Sequence, residues 1–586
     1  MVPCIISYAQ SVKKEIFIRI NQYGYHTNES KQAILFSNSP IKEKFEIVTE
    51  NGQKSIASIK PIKSKAKSWG TFDNYYLVDF SEINQKGTYQ LRGLKSGMIS
   101  ETFDISDQAY EGTTDDLLAF MQQQRCGYNP FLDMVCHQRD GRMFYGRMPD
   151  STYVDVSGGW HDAGDQLKYL ITGSYATAHM LMAYQLYPKK FSDKVNALGQ
   201  PHPNGIPDVL DEAKWGLDWI LKMHFAPDQL VHQVADDRDH RGWKIPDQDP
   251  SDYGWGPNSY RAAYVASGHP QGLGKYKSES TGVANLAGRS AAALALGANV
   301  WMEIDSSYAF KCLQAAKTVF DLGKSMEGFQ QGNSFGAPYR YNEQTWADDM
   351  EWGAAELYRM TKNPVYLSDA KRYALLANTD NWLMLDSAAH YQYYPFINMG
   401  HCALFDQVEK SFQDTLVSFY KAEIDNVAKR AKTNHYGIGI PFIWCSNNLL
   451  TSFITEILLY EKMTGDMQFH QVMLDHRDWL FGRNPWGTSM FTGMPLDGEY
   501  PLDVHTSVWA KTTRMVPGGL IDGPIFMTIY QKLLGLELTQ PDEFARFQND
   551  FVTYHDDIGD YSTNEPTMDG TAGSMIMMAH WSPDMR

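Results

Sequence analysis

The stretch Gly205–Met223, GIPDVLDEAKWGLDWILKM, decides the class of fold. Leu210, Ala213, Leu217, Ile220 and Leu221 recur at helical spacing and make one apolar stripe. Pro207 suits a first helical position, where its missing N–H removes no bond. The same period returns on both sides of this stretch. It marks Gly112–Arg125, Gln166–Tyr187, Ala284–Trp301, Asp305–Ser325, Trp346–Thr361 and Val365–Asn378. It continues through Phe412–Arg430, Leu449–Thr464, Met467–Phe481, Ile525–Leu534 and Met568–His580. The spacing predicts about twelve helices joined by long Gly- and Pro-rich loops. A helical solenoid would need a fixed period, and none is visible. The expected fold is therefore mainly α, an (α/α)6 barrel of six inner helices wrapped by six outer ones.

Ahead of Tyr110 the period is two. IFIRI (Ile16–Ile20), QAILFS (Gln32–Ser37), FEIVT (Phe45–Thr49), YYLVDF (Tyr75–Phe80), TYQLR (Thr88–Arg92) and ETFDI (Glu101–Ile105) each suit a half-buried strand. Turn residues such as Asn51-Gly52 and Lys86-Gly87 separate them. This predicts a small immunoglobulin-like β-sandwich over residues 14–106, without a cysteine bridge between its sheets, preceding the helical barrel over residues 107–586.

Composition narrows the partner. The 586 residues include 15 Trp and 34 Tyr, too much aromatic surface for a disordered or fibrous chain. No apolar run approaches the ~18 residues that span a bilayer. Charge is 52 − 69 = −17, which repels nucleic acid, acidic polysaccharide and anionic membrane and favours a neutral partner. Aromatic excess in such a chain fits platforms for sugar rings. The expected protein is a monomer with no nucleic-acid partner and no membrane span.

Six cysteines in this length make no disulfide framework. Cys4, Cys312, Cys402 and Cys445 stand apart, and the last three lie in apolar settings that suit buried thiols. At the N-terminus Ser7-Tyr8-Ala9 resembles the end of a truncated signal peptide, which predicts a secreted, periplasmic or cell-surface protein.

The densest chemical signal is Asp155–Tyr169, DVSGGWHDAGDQLKY. Glycines at 158, 159 and 164 surround Asp162 and Asp165 and permit backbone shapes closed to other residues. A helix is expected to begin just after them, placing both carboxylates at its N-terminus, where ionised forms are favoured. Two neighbouring carboxylates can hold and deprotonate one water; an Asp cap beside a Gly turn explains the pair equally well. A second signal is Tyr554–Thr571, YHDDIGDYSTNEPTMDGT, with Glu565 in a polar stretch before an apolar helix. Cleaving a glycosidic bond needs such a second carboxyl, to protonate the leaving oxygen.

GGWHDAGD (Gly158–Asp165), GIPDVLDEAKW (Gly205–Trp215), GRNPWGTSMFTG (Gly482–Gly493), VPGGLIDGP (Val516–Pro524) and DYSTNEPTMDG (Asp560–Gly570) occur in the order seen in glycoside hydrolase family nine. The chain resembles that family along nearly its whole length. The β-domain followed by QQQRCG (Gln122–Gly127) is similar to the subgroup with an N-terminal immunoglobulin-like module. The resemblance implies an inverting endo-β-1,4-glucanase acting on cellulose-like chains, mixed-linkage glucan or xyloglucan. It implies Asp165 as general base, Asp162 as holder of the water and Glu565 as general acid. His505, Tyr561, Trp160 and Trp255 are the expected substrate contacts. Exo-acting β-glucosidase or glucosaminidase activity, and a catalytically silent carbohydrate-binding protein, are the competing readings. For exo action, the segment Asp247–Ser280, with Trp255, Tyr260 and Tyr264, is the candidate plug of the cleft.

One departure concerns specificity. Members usually carry an Arg closely following the His, whereas this chain reads Asp503-Val504-His505-Thr506-Ser507. Arg514 is the nearest substitute, and a surface position explains it equally well. The stretch DDRDH (Asp236–His240), followed by Trp243, corresponds to a segment bordering the cleft. Cys126, Cys136 and His137 have a zinc-like spacing, and by resemblance His161 is a fourth ligand, giving a closed structural zinc site. Thr345, Asp348 and Asp349 fall where the family takes oxygen ligands for calcium, with a later Asp replaced near Asn398.

Overall fold

Strand pairing in the N-terminal module explains its sequence alternation. The computed structural model describes residues 15–52, 54–66, 69–337 and 340–585; Cys4 and the Ser7–Ala9 reading lie outside them. The strands β1 (Phe17–Arg19), β2 (Gln32–Ser37), β3 (Phe45–Thr49), β4 (Ser55–Ile59), β5 (Ile62–Lys63), β6 (Asn74–Asp79), β7 (Gly87–Gly93) and β8 (Phe103–Ile105) form two antiparallel sheets. Their orders are β1-β2-β6-β5 and β4-β3-β7-β8. Ala33, Leu35, Ile47, Val78 and Leu91 fill the space between the sheets. Ile34, Phe36 and Tyr75 point the other way and join the core of the helical body. β2 is thus buried on both faces, which is why QAILFS reads as a nearly continuous apolar run. The short β4 and β5 escape sequence reading because they carry exposed polar positions.

Among the described residues the helices that follow are, in order, α1 (Thr113–Gln123), α2 (Leu170–Leu186), α3 (Asp208–Met223), α4 (Ala284–Trp301), α5 (Ser306–Ser325), α6 (Ala347–Thr361), α7 (Pro364–Ala377), α8 (Met399–Phe405), α9 (Lys410–Ala431), α10 (Ser446–Thr464) and α11 (His470–Leu480). The short helices α12 (Ser507–Thr512) and α13 (Met527–Tyr530) lie on the connection to α14 (Met568–Gly573) and α15 (Met575–Trp581). Helices α2, α4, α6, α8, α10 and α14 touch in sequence, and α14 returns to α2, closing an inner ring. Helices α1, α3, α5, α7, α9 and α11 back onto it from outside. Burial follows this division. The inner α2, α4 and α10 are apolar and buried nearly all round, whereas outer α5 and α9 bury one stripe. Among the described residues no helix is long and apolar enough to cross a membrane.

Two boundaries differ from the sequence reading for local reasons. Pro207 is the N-cap of α3 rather than its first helical residue. The apolar run from Ile525 is a two-residue strand, Ile525–Phe526, before α13 makes a single turn. The candidate plug at residues 247–280 is built into the fold. Its strand Arg261–Val265 sits inside a four-stranded sheet, between Asp140–Phe144 and Val231–Val234, and Tyr264 is buried there.

Candidate active site

The loop 158–165 is held from three sides. Gly158 and Gly159 have φ of 104° and 71°, and a Cβ on Gly159 would stand 2.5 Å from the Trp219 ring, so only glycine fits. The N–H groups of Cys126 and His161 donate to Gly159 O and Gln124 O, each at 2.8 Å, fastening the loop to the exit of α1. The expected helix N-terminus is not where the aspartates sit: α2 begins at Leu170, after the strand Lys168–Tyr169.

The two aspartates consequently have different surroundings. Asp162 is buried and accepts from Thr172 Oγ1 at 2.6 Å and from the Tyr341 hydroxyl. Burial, with the neighbouring Asp165 and Asp569, raises its pKa well above the carboxylate range. Asp165 is partly open and accepts from Leu167 N–H at 2.8 Å and His240 Nε2 at 3.2 Å. Burial opposes its ionisation, but His240 and the Leu167 N–H outweigh that and hold its pKa below the ordinary value.

Glu565 comes from the far end of the chain. Its Oε1 accepts the Gly164 N–H at 2.9 Å. A Cβ on Gly164 would stand 2.3 Å from His505 O and 2.8 Å from Glu565 Oε1, so this glycine makes the approach possible. Burial raises the Glu565 pKa well above 4.5, and the Asp522 and Asp165 carboxyls raise it further. Asp522 itself accepts from Trp444 Nε1 at 2.8 Å and Cys445 Sγ at 3.1 Å. Glu565 thus has the surroundings of an acid that keeps its proton, and Asp165 those of one that has lost it.

These carboxyls line one cavity of about 630 Å³. Rings follow its wall in a connected path: Tyr169, Tyr341, His390, Trp444, Tyr561, His505 and Trp243, with neighbouring centroids 4.6 to 6.1 Å apart. His505 Nδ1 lies 2.6 Å from Ile558 O, an arrangement that places the proton on Nδ1 and leaves Nε2 as acceptor. Burial lowers its pKa and keeps the ring neutral. Such a wall offers apolar faces with a few polar tips, which suits a neutral, hydroxyl-rich ring system.

Behind the loop, Cys126, Cys136, His137 and His161 bring one ligand atom each within 4.8 Å of one another. This group can hold a metal ion. Both cysteines are free thiols. His137 Nε2 lies 3.2 Å from Asp249 Oδ2, leaving Nδ1 for the cluster, the usual arrangement of a carboxylate behind a ligating histidine.

The profile of glycosyl hydrolase family 9 matches residues 110–578, and that of the cellulase N-terminal ig-like domain matches residues 13–97. The chain belongs to glycosyl hydrolase family 9. It is similar to Endoglucanase D of Acetivibrio thermocellus, 26% identical over 542 residues, which span 86% of this chain and 78% of the relative. Among solved structures, a metagenome-derived family 9 endoglucanase aligns with a TM-score of 0.77 at 23% identity, covering 97% of this chain and 99% of that one. A Zn-binding triple mutant of the family 9 endoglucanase J30 aligns with a TM-score of 0.75 at 23% identity, covering 96% and 100%. These likenesses establish the fold, an (α/α)6 barrel behind an immunoglobulin-like module.

Against this family 9 frame, Asp162, Asp165, Glu565, His505 and Tyr561 gather on the cavity as expected. Trp160 and Trp255 do not. Trp160 is 1% exposed, and its Nε1 donates to Glu212 at 2.7 Å within the core, where Gly216 makes room for the ring. Trp255 packs by Phe144 and Arg142, away from the cavity, and Trp243 takes the expected place. Arg514 also misses the cleft: it donates to Phe131 O and covers the Phe131 ring. Reading by sequence alone overlooks His240 as the partner of Asp165, Tyr341 as the partner of Asp162, and Cys445 and Asp522 as cavity residues. The DDRDH stretch is the one signal that points to His240.

The calcium expectation does not fit. Both oxygens of Asp349 accept from Arg289, at 2.9 and 2.7 Å, and Thr345 Oγ1 donates to Tyr394 O. Asp348 is buried, and burial pushes its pKa up to about 8, the protonated form near neutrality. A divalent cation on Asp349 would have to displace a buried guanidinium.

Proposed function

We propose that the chain is an inverting endo-β-1,4-glucanase acting on cellulose-like chains, mixed-linkage glucan or xyloglucan. The observation that carries this reading is the opposed environment of two carboxyls on one cavity: Glu565 buried beside other acids, Asp165 paired with His240. Asp165 takes a proton from water as that water attacks the anomeric carbon. Glu565 gives its proton to the leaving glycosidic oxygen, and the C–O bond breaks. Asp162 accepts the water's second hydrogen bond and fixes its direction, itself set by Thr172 and Tyr341. Inversion needs room for that water and a carboxyl separation of ~6.5–9.5 Å. His505, Tyr561, Trp243 and Trp444 stack on or hydrogen-bond to the sugars.

For the metal group, two thiolates and two imidazoles fit zinc in a closed tetrahedral site, and zinc is our proposal for the ion. Cys126, Cys136, His137 and His161 would hold it, and it would supply structure. His161 precedes Asp162, so its fixed ring steadies the aspartate loop. A polymeric glucan does not enter a cell, which supports a place of action outside the cytoplasm.

The test is endo action. On a soluble mixed-linkage glucan, viscosity should collapse while few reducing ends have appeared. Steady release of glucose at nearly constant viscosity would contradict it.

A further inference from the structure

Beneath the aspartate loop lies a buried cation with no part in the chemistry described so far. Arg289 on α4 is 0% exposed. Its Nε and one terminal nitrogen bind both oxygens of Asp349 on α6. The same terminal nitrogen reaches Glu343 Oε1 at 2.5 Å and Tyr394 O at 3.0 Å, and the other donates to Ile171 O on α2 at 3.3 Å. The guanidinium also lies 4.7 Å from the centroid of the Tyr394 ring. Gly288 lets α4 approach α6 here, since a Cβ would stand 2.5 Å from the Asp349 backbone. Burial works against the Arg289 charge, and Asp349 and Glu343 more than offset it.

Three of the four segments that Arg289 holds carry a donor to Asp162 or to Asp569 near it. Ile171 adjoins Thr172, which donates to Asp162 Oδ1. Glu343 lies two residues beyond Tyr341, which donates to Asp162 Oδ2. The Tyr394 loop sends the Tyr391 and Tyr394 hydroxyls to Asp569 Oδ2, at 2.6 and 3.3 Å. Asp569 lies on α14, four residues after Glu565.

We propose that Arg289 is a positioning residue, the chain's own cation in place of a calcium ion, and that it locks α2, α6 and the two tyrosine loops in the arrangement that aims Asp162. A planar fork with five donors can bind oxygens in several directions at once, as a multivalent ion does. Unlike an ion, it cannot dissociate. The claim about Asp162 rests on the proposed function; the claim about calcium does not.

The experiment has two arms, both on the full chain with its zinc site intact. Calcium titration of the wild type should leave the melting temperature unchanged, and elemental analysis should find no calcium retained after dialysis. Stoichiometric retained calcium, or a calcium-dependent rise in melting temperature, would overturn the proposal. In the second arm, Arg289→Met should lower kcat by about 10- to 100-fold with KM within about threefold. Tyr341→Phe should lower kcat in the wild type but add little in the Arg289→Met background. Full additivity of the two losses would show that Arg289 does not act through Tyr341. Where Arg289→Met fails to fold, Arg289→Lys, which keeps the charge and loses the fork, carries the same cycle.

Discussion

The carboxyl of Glu565 accepts the backbone N–H of Gly164 at 2.9 Å, so the acid is fastened to the loop that presents Asp165 one residue later. One oxygen of Glu565 is thereby fixed as an acceptor, and the other is left to carry the proton. Residues 401 positions apart are set against each other by one hydrogen bond and by the absence of a side chain on Gly164.

Replacing this acid should separate protonation from the rest of catalysis. Glu565→Gln should lower kcat by roughly 10²–10⁴-fold on unactivated glucan, with the melting temperature little changed. Aryl glycosides with strongly acidic leaving groups should recover much of the rate, because they need little protonation. Asp165→Ala should lose activity on both substrate types, and added azide should restore part of it. Wild-type-like hydrolysis of unactivated glucan by Glu565→Gln would remove Glu565 from the acid role.

The pH profile follows from the two opposed shifts. The proposed mechanism needs Asp165 ionised and Glu565 protonated, so the acidic limb should report the lowered pKa and the basic limb the raised one. His240 favours the ionised form of Asp165, so His240→Ala should move the acidic limb of kcat/KM to higher pH. Asp522 raises Glu565, so Asp522→Asn should move the basic limb to lower pH. Movement of either limb in the opposite direction would contradict the assignment behind it.

How much of this was legible depended on whether a signal was local. The helical stripe of residues 205–223 lies within one element and predicts α3 to within three residues. The run QAILFS predicts β2 without error. Tyr341 and Asp162 lie 179 positions apart, and His240 and Asp165 lie 75 apart; no local period connects them. Trp160 failed for a different reason. Proximity to the aspartates in sequence says nothing of which way a ring points, and this one turns inward to Glu212. Asp349 has the right residue type for calcium, yet Arg289, on another helix, already occupies its oxygens.

The two tryptophans should respond differently to truncation. Trp160→Ala should cost about 3–5 kcal/mol of stability, as a core ring lost with its hydrogen bond to Glu212. Trp243→Ala should leave the melting temperature within a few degrees and raise KM on oligosaccharides several-fold. Equal effects of both on KM with no loss of stability from Trp160→Ala would restore Trp160 as a sugar platform.

The metal group makes a separate prediction. The wild type should contain about one zinc per chain, and Cys136→Ser should lose it with a fall in melting temperature, because the ion binds only the folded site. Activity should fall with it, through the loop that follows His161. Metal-free protein with an unchanged melting temperature in strong chelator would contradict the site.

The most direct test of the central claim is the configuration of the first product. Proton NMR of a cello-oligosaccharide digest, read before mutarotation, should show the α-anomer, because water activated by Asp165 attacks opposite the departing oxygen. First appearance of the β-anomer would contradict the account, making Asp165 a nucleophile rather than a base.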